Sequence, residues 1–224
     1  MERILPDTPV LILLYGFPGA GKTYFARQFC EAVQAAHLEQ DRIRYELFPN
    51  PKYTKQENFA LNRIMEYMAG EFLTAGISVV MDMNAMRISQ RRTLREMTRR
   101  AKATSLVVWF QLDPDTAFVR NQKRDRRKAD DRYAVGYDVE PFRQMATYMQ
   151  HPEPTEDFIV VSGKHSFASQ MSGVAKKLSD MHIIKPSKAV GHMVRPDMVN
   201  LVPTPMSLSE RNQQRPARRN IVLR

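Results

Sequence analysis

Eight residues, Gly16-Phe17-Pro18-Gly19-Ala20-Gly21-Lys22-Thr23, carry the most specific chemistry in the chain. Glycines at 16, 19 and 21 free the backbone to turn so that successive N–H groups point inward at phosphate oxygens. A helix starting directly afterwards adds its positive end. Lys22 places a point charge on the β and γ phosphates of a nucleoside triphosphate, and the Thr23 hydroxyl is a hard oxygen ligand suited to magnesium. A nucleoside triphosphate and Mg²⁺ are therefore the expected ligands. The context fits: the apolar run Val10 to Tyr15 reads as a buried strand before the turn, and Phe25, Phe29, Val33 and Ala36 recur at helical spacing after it.

Acidic and basic residues elsewhere divide the remaining work. Asp82 closes the run Ile77-Ser78-Val79-Val80-Met81, where a carboxylate holds the metal's water shell or orients Thr23, or else simply ends the strand. Asp41 falls at the end of a second short strand, placed near Gln40-Asp41, and is the candidate base that takes a proton from an attacking hydroxyl. Arg44 follows three residues later and shares a face with Asp41 if a helix starts there, which suits an acceptor carrying both a hydroxyl and a phosphate. The alternative is that Asp41 caps the helix and Arg44 is solvated. Arg120-Asn121-Gln122-Lys123-Arg124 forms a third group. A loose phosphoryl-transfer transition state is stabilised mainly by charge, so Arg120 and Arg124 are either closing arginines or a solvated basic face.

The elements that must position these groups alternate between strand and helix. Further strands are expected at 77–81, 106–110 and 158–161, with helices over 56–75 and 89–103. The result is an α/β fold of the P-loop NTPase kind: a five-stranded parallel sheet with helices on both faces, in which ligands meet the carboxyl ends of the strands. Roughly 45 residues separate the fourth and fifth strands, enough for two helices that include a lid. Residues 1–180 are expected to form the enzymatic domain. Residues 181–224 are read as a basic, proline-containing, disordered tail that holds +6 of the chain's +10 charge. No apolar run approaches the length of a membrane span, no secretory leader is evident, and the single cysteine, Cys30, fits a reducing cytoplasm and an inert thiol.

Taken in order, these motifs resemble the kinase domain of phage-type 5′-polynucleotide kinases, relatives of zeta-toxin-like P-loop kinases, over about residues 9–170. Asp41-Arg42-Ile43-Arg44 resembles that family's Asp-x-x-Arg, and Met81-Asp82-Met83-Asn84 its strand-end Asp-x-Asn. Gln90-Arg91-Arg92 falls where the family has a paired arginine, and residues 120–124 are similar to its lid. The resemblance implies Asp41 as general base, Arg44 on the acceptor's 3′ phosphate, and lid arginines on ATP. It does not extend to an Asp-x-Asp-Gly-Thr phosphatase motif or to the tail.

Three functions follow from these readings. The first is an ATP-dependent kinase acting on the 5′-hydroxyl of RNA or DNA, with a role in nucleic acid repair. Here Lys22 and Arg124 stabilise transferred charge, main-chain groups near Ser162-Gly163-Lys164 meet the base, and Arg87, Arg91, Arg95 and Arg99 either track the strand or form an exposed face. The second is a small-molecule or nucleotide-sugar kinase, and the third a nucleic-acid-binding ATPase whose tail is the active part. If the tail grips nucleic acid, deleting residues 181–224 weakens oligonucleotide affinity and flattens its salt dependence in a filter-binding titration, because fewer counterions are released. An unchanged slope removes that role.

Overall fold

The computed structural model describes residues 3–127 and 131–185, so most of the expected tail lies outside the described residues. Its elements run β1 (Val10–Tyr15), α1 (Lys22–Ala32), β2 (Ala35–Glu39), α2 (Gln40–Leu47), α3 (Lys55–Thr74) and β3 (Ser78–Asp82). Then come α4 (Ile88–Arg100), β4 (Thr104–Gln111), α5 (Pro114–Gln122), α6 (Val139–Tyr148), β5 (Phe158–Ser162) and α7 (Phe167–Asp180). The five strands lie in the order β2-β3-β1-β4-β5 with every pairing parallel, and helices cover both faces. The α/β fold of the P-loop NTPase kind read from the sequence, a five-stranded parallel sheet with helices on both faces, is thus the fold observed.

Strand β1 shows why the sheet has two cores. All six of its residues are buried, and their period of two sends alternate side chains to opposite faces. Val10, Ile12 and Leu14 join Phe25 and Phe29 of α1 and Met171, Val174 and Leu178 of α7. Leu11, Leu13 and Tyr15 join Leu61, Met65 and Leu73 of α3 and Leu94 of α4. Because β1 lies between β3 and β4, the loop leaving it opens at the middle of the sheet's carboxyl edge. That loop needs glycine where it passes the neighbouring strand. At Gly16 (φ 149°) an added Cβ would stand 2.7 Å from the Phe110 carbonyl oxygen.

Element ends follow local chemistry. Thr54 caps α3 by accepting from the Glu57 amide, and Asp113 caps α5, with Pro114 in its first turn, by accepting from the Thr116 amide. Helix α4 stops at Arg100, before Lys102 at φ 52°, a little short of the expected 103. Strand β2 ends at Glu39, so Asp41 sits in the first turn of α2 and not on the strand. The interval between β4 and β5 holds α5 and α6, the two helices expected there. Beyond α7 the chain stays packed: Ile183 and Ile184 are buried, and the Asp7 amide donates to the Ile183 carbonyl at 2.8 Å. A tail deletion therefore leaves the core intact only if it starts after Lys185.

One buried ion pair ties α4 to the segment before β5. The Arg91 side chain is fully buried, and its Nε and Nη2 donate to the Glu156 carboxylate at 3.0 Å. Its Nη1 reaches the Ala85 carbonyl at 2.8 Å, and the guanidinium lies 5.4 Å from the centre of the Tyr15 ring. Arg91 therefore neither tracks a ligand nor forms an exposed face, because a carboxylate distant in sequence has drawn it inward. Burial alone would raise the Glu156 carboxyl, but the hydrogen bonds from Arg91 and the Glu153 amide hold it below its ordinary value.

Arg91→Met strands that carboxylate in the core and is expected to cost about 3–5 kcal/mol in urea unfolding, whereas Arg91→Met/Glu156→Leu should cost less than the single change. Since the folded pKa of Glu156 is depressed, its share of stability is present above the ordinary value of 4.5 and fades as pH drops through the folded value. A double variant no more stable than the single one would mean the pair contributes through packing alone.

Candidate active site

Three strand ends deliver the site. The turn after β1 carries Gly16 to Gly21, and α1 begins at Lys22 behind Gly21 (φ 96°) with no side-chain cap. Its first amides are thereby left for an anion. The Lys22 ammonium donates to the carbonyls of Gly16 at 2.8 Å and Phe17 at 2.9 Å, bracing the loop. Asn84, two residues past β3, accepts from the Gly16 amide at 3.4 Å through Oδ1. Pro18 and Thr23 face the larger of two adjoining cavities and Gly19 and Gly21 the smaller, while Ala20 is buried beneath.

The larger cavity, of about 730 Å³, is bounded by α3 and α4 through Asn58, Phe59, Asn62, Arg63, Arg87 and Gln90, and reaches Tyr137. The smaller, of about 430 Å³, is bounded by α5 and the turn after β5 through Arg120, Gly163, Lys164 and His165. Lys22, Thr23, Glu39, Asp41 and Arg124 border both. Five of the chemistry-bearing side chains thus stand where two compartments meet.

Charge is unevenly settled among them. Burial drives the Lys22 ammonium down to about 8; Asp82 opposes this, Arg124 adds to it, and Asp41 opposes it. Burial, then the neighbouring Asp82 charge, pushes the Asp41 carboxyl up to about 6 against the pull of Arg44 and Arg124. No hydrogen bond to the Asp41 carboxylate exists among the described residues. Asp82, by contrast, is held by His37 Nε2 at 3.2 Å, and Glu39 by Arg27 Nη2 at 3.3 Å. Burial and then Asp82 raise the Glu39 carboxyl. His37, Glu39 and Asp82 can present ligand atoms within 4.8 Å of one another, and Thr23 adds a hydroxyl beside them. Two carboxylates and a hydroxyl are the hard oxygen donors that magnesium takes, so the residues present fit that ion.

The arginines separate into different roles. Arg124 lies 3.9 Å from Asp131 and borders both cavities. Arg120 donates to the Gly163 carbonyl at 2.7 Å, closing the smaller cavity across α5 and the turn after β5. Arg44 borders neither cavity. It is 3% exposed, its Nη1 donates to Glu57 Oε1 at 2.6 Å and its Nη2 to Asn58 Oδ1 at 2.7 Å, so in this arrangement it fastens α2 to α3.

Glu39 and His37 had no part in the expectations from sequence, although their alternation along β2 puts both on one face, and Glu39 pairs in register with Asp82. Asn121 is also new: it bridges the Val135 carbonyl and the Tyr137 amide, each at 3.0 Å, and so shapes the segment that carries Tyr137 to the larger cavity. It stands within the 120–124 group singled out from the sequence, where only the arginines are given roles. Cys30 is inert, its thiol pushed up to about 12 chiefly by burial. Among the described residues no helix is long and apolar enough to cross a membrane.

Similar folds are found among solved kinases. The APS kinase of Mycobacterium tuberculosis, in complex with AMPPNP and APS, superposes with a TM-score of 0.57 at 18% identity over 78% of this chain and 99% of that one. A gluconokinase of Sinorhizobium meliloti gives 0.54 at 16% identity over 81% and 95%. A sugar kinase of Janibacter gives 0.58 at 16% identity over 79% and 96%. No curated protein matches the chain. The family described as an AAA domain matches residues 11–151, more than half of the chain, and spans the glycine-rich loop, Asp41, Asp82, Arg120 and Arg124, so the protein belongs to that AAA domain family.

Proposed function

We propose that the protein is an ATP- and magnesium-dependent phosphotransferase whose acceptor hydroxyl enters through the larger cavity, the acceptor being the 5′ end of a nucleic acid. The observation that carries this reading is Asp41: a carboxylate with no hydrogen bond among the described residues, at the junction of the two cavities, with its proton affinity raised to about 6. A base of that strength is matched to neutral pH.

In this reading the triphosphate lies against the amides of Gly16 to Thr23, with its base end in the smaller cavity near Gly163 and Lys164. Thr23 and Asp82 would hold magnesium, which when bound neutralises phosphate charge. Asp41 accepts the proton of the incoming hydroxyl as the acceptor oxygen bonds to the γ phosphorus and the bridge to the β phosphate breaks, releasing ADP. Lys22 and Arg124 carry the charge that spreads over the transferring group. Arg120 orders the wall of the nucleotide compartment. Arg44 positions Asp41 by locking α2 onto α3 through Glu57 and Asn58. Any grip on an acceptor phosphate would first have to displace those two short bonds.

A small-molecule acceptor is the second reading, favoured by the amides of Asn58, Asn62, Asn84 and Gln90 around the larger cavity, groups suited to a polyhydroxylated ligand. Kinases of sugars and of APS are among the similar folds. Incubation with γ-labelled ATP and either 5′-hydroxyl oligonucleotides or a pool of nucleosides and nucleotide sugars separates the two. Label in the oligonucleotide supports the first, and label only in the pool supports the second.

Asp41→Asn should lower the rate of label transfer about 10²- to 10⁴-fold while ATP binding persists. Full turnover in that variant would remove Asp41 as the base. In the wild type, kcat/KM should rise as pH climbs through about 6, where Asp41 sheds its proton, and fall through about 8, where Lys22 sheds its own. The acidic limb should vanish in any residual activity of Asp41→Asn, and a limb that survives assigns it to another group.

A further inference from the structure

Helix α3 presents a surface that the phosphoryl-transfer chemistry does not use. Lys55, Phe59, Arg63 and Tyr67 follow one another at intervals of four, each about 40° further round the helix, and all four are exposed. Phe59 and Tyr67 are each 69% exposed, although the same helix buries Leu61, Met65, Ala69 and Leu73 on its other side. Two large aromatic rings in water beside a fully formed apolar face are not needed to pack the helix.

The alternation of cation and ring has a direction. Phe59 and Arg63 border the larger cavity, while Lys55 and Tyr67 carry the stripe beyond it at either end. From residue 55 to residue 67 the helix rises roughly 18 Å, several times the roughly 3.4 Å step between stacked nucleotides. Across the mouth, Arg87 borders the same cavity and its guanidinium stands 5.7 Å from the centre of the half-exposed Tyr148 ring. We propose that the α3 stripe is a stacking track for the single-stranded 5′ region of a nucleic acid, its bases lying on Phe59 and Tyr67 and its phosphates meeting Lys55 and Arg63.

This proposal rests on reading the larger cavity as the acceptor site, and it deepens that reading. Aromatic faces interleaved with cations are what single strands bind without regard to sequence, since every base offers a π-face and every linkage a charge. A sugar-sized acceptor held inside the cavity has no use for Tyr67, which does not border it. Two acids flank the stripe: Glu66, which accepts from Arg63 at 3.1 Å, and the exposed Glu71. The Arg63 side chain is 68% exposed, so exchanging its Glu66 partner for a phosphate is a small change.

The test uses the full chain with magnesium and AMPPNP at raised salt, and a 5′-hydroxyl octanucleotide labelled at its 3′ end, followed by fluorescence anisotropy. Phe59→Ala/Tyr67→Ala keeps good helix formers at exposed positions, and an unchanged thermal melt will confirm that the fold persists. The double variant is expected to bind about tenfold or more weakly, and the wild type is expected to favour the octanucleotide over an abasic strand of equal length and charge by a similar factor. Equal affinity of variant and wild type, equal affinity for the abasic strand, or no binding at all would overturn the track. Label transfer from γ-labelled ATP is scored separately. A strand that binds through Phe59 and Tyr67 yet receives no label defeats the kinase reading for that acceptor and upholds the track, and transfer unaffected by the double substitution defeats the track alone.

Discussion

Three carboxylates crowd one lysine and one arginine at the carboxyl edge of the sheet, and their mutual repulsion shapes the rest of the site. Glu39, Asp41 and Asp82 cannot all rest comfortably as anions in a partly desolvated pit. Two have side-chain partners: Glu39 accepts from Arg27, and Asp82 is hydrogen-bonded to His37. Asp41 receives no such bond among the described residues, and burial together with the Asp82 charge moves its proton affinity toward neutrality. Environment thereby sets three carboxylates apart, two with side-chain partners and one without, which is the division that the proposed base and metal roles require. The sheet order serves that division. Placing β1 beside β3, and β3 beside β2, brings Lys22, Asp82 and Asp41 to adjacent strand ends without any long loop.

Much of this was legible because it depends on local pattern. An unbroken apolar run must be a strand covered on both sides, and β1 alternates its side chains between two cores, as that requires. The glycine spacing of the phosphate loop works the same way, since turn geometry is a property of a few neighbouring residues. Helix boundaries moved by one to three residues in α3 and α4, and by four in α1, whose expected stripe ran to Ala36 but which ends at Ala32 because β2 takes up Ala35 and Ala36. The displacement of Asp41 from a strand end to the first turn of α2 changes little for the site: the first turn, like the strand end before it, leaves its side chain where the two cavities meet.

Depth was not legible for charged residues. Spacing of four predicts that Arg87, Arg91, Arg95 and Arg99 lie along one side of a helix, but not how far each is from water. Arg91 is in the core only because Glu156, 65 residues away, meets it there. Arg95 bends to the Thr155 carbonyl on the same segment. Glu39 was missed for the converse reason: a single acid in a short strand gives no signal until its register partner, Asp82, is known.

Arg44 shows what that blindness does to a functional argument. An arginine three residues from a candidate base invites the assignment of an anion ligand, and spacing cannot say whether the anion is a substrate phosphate or a glutamate of the protein. Here Glu57 and Asn58 each take one bond from its terminal nitrogens, at 2.6 and 2.7 Å, and the Tyr53 ring covers it at 4.6 Å, while the buried Nε has no hydrogen-bond partner among the described residues. Releasing it would break its ion pair with Glu57 and its bond to Asn58, losses that a solvated phosphate would have to offset. Cations already in contact with water carry no such debt. On the proposed nucleic-acid reading, backbone recognition therefore falls to Lys55, Arg63 and Arg87, which leaves Arg44 to hold in place the helix on which Asp41 stands.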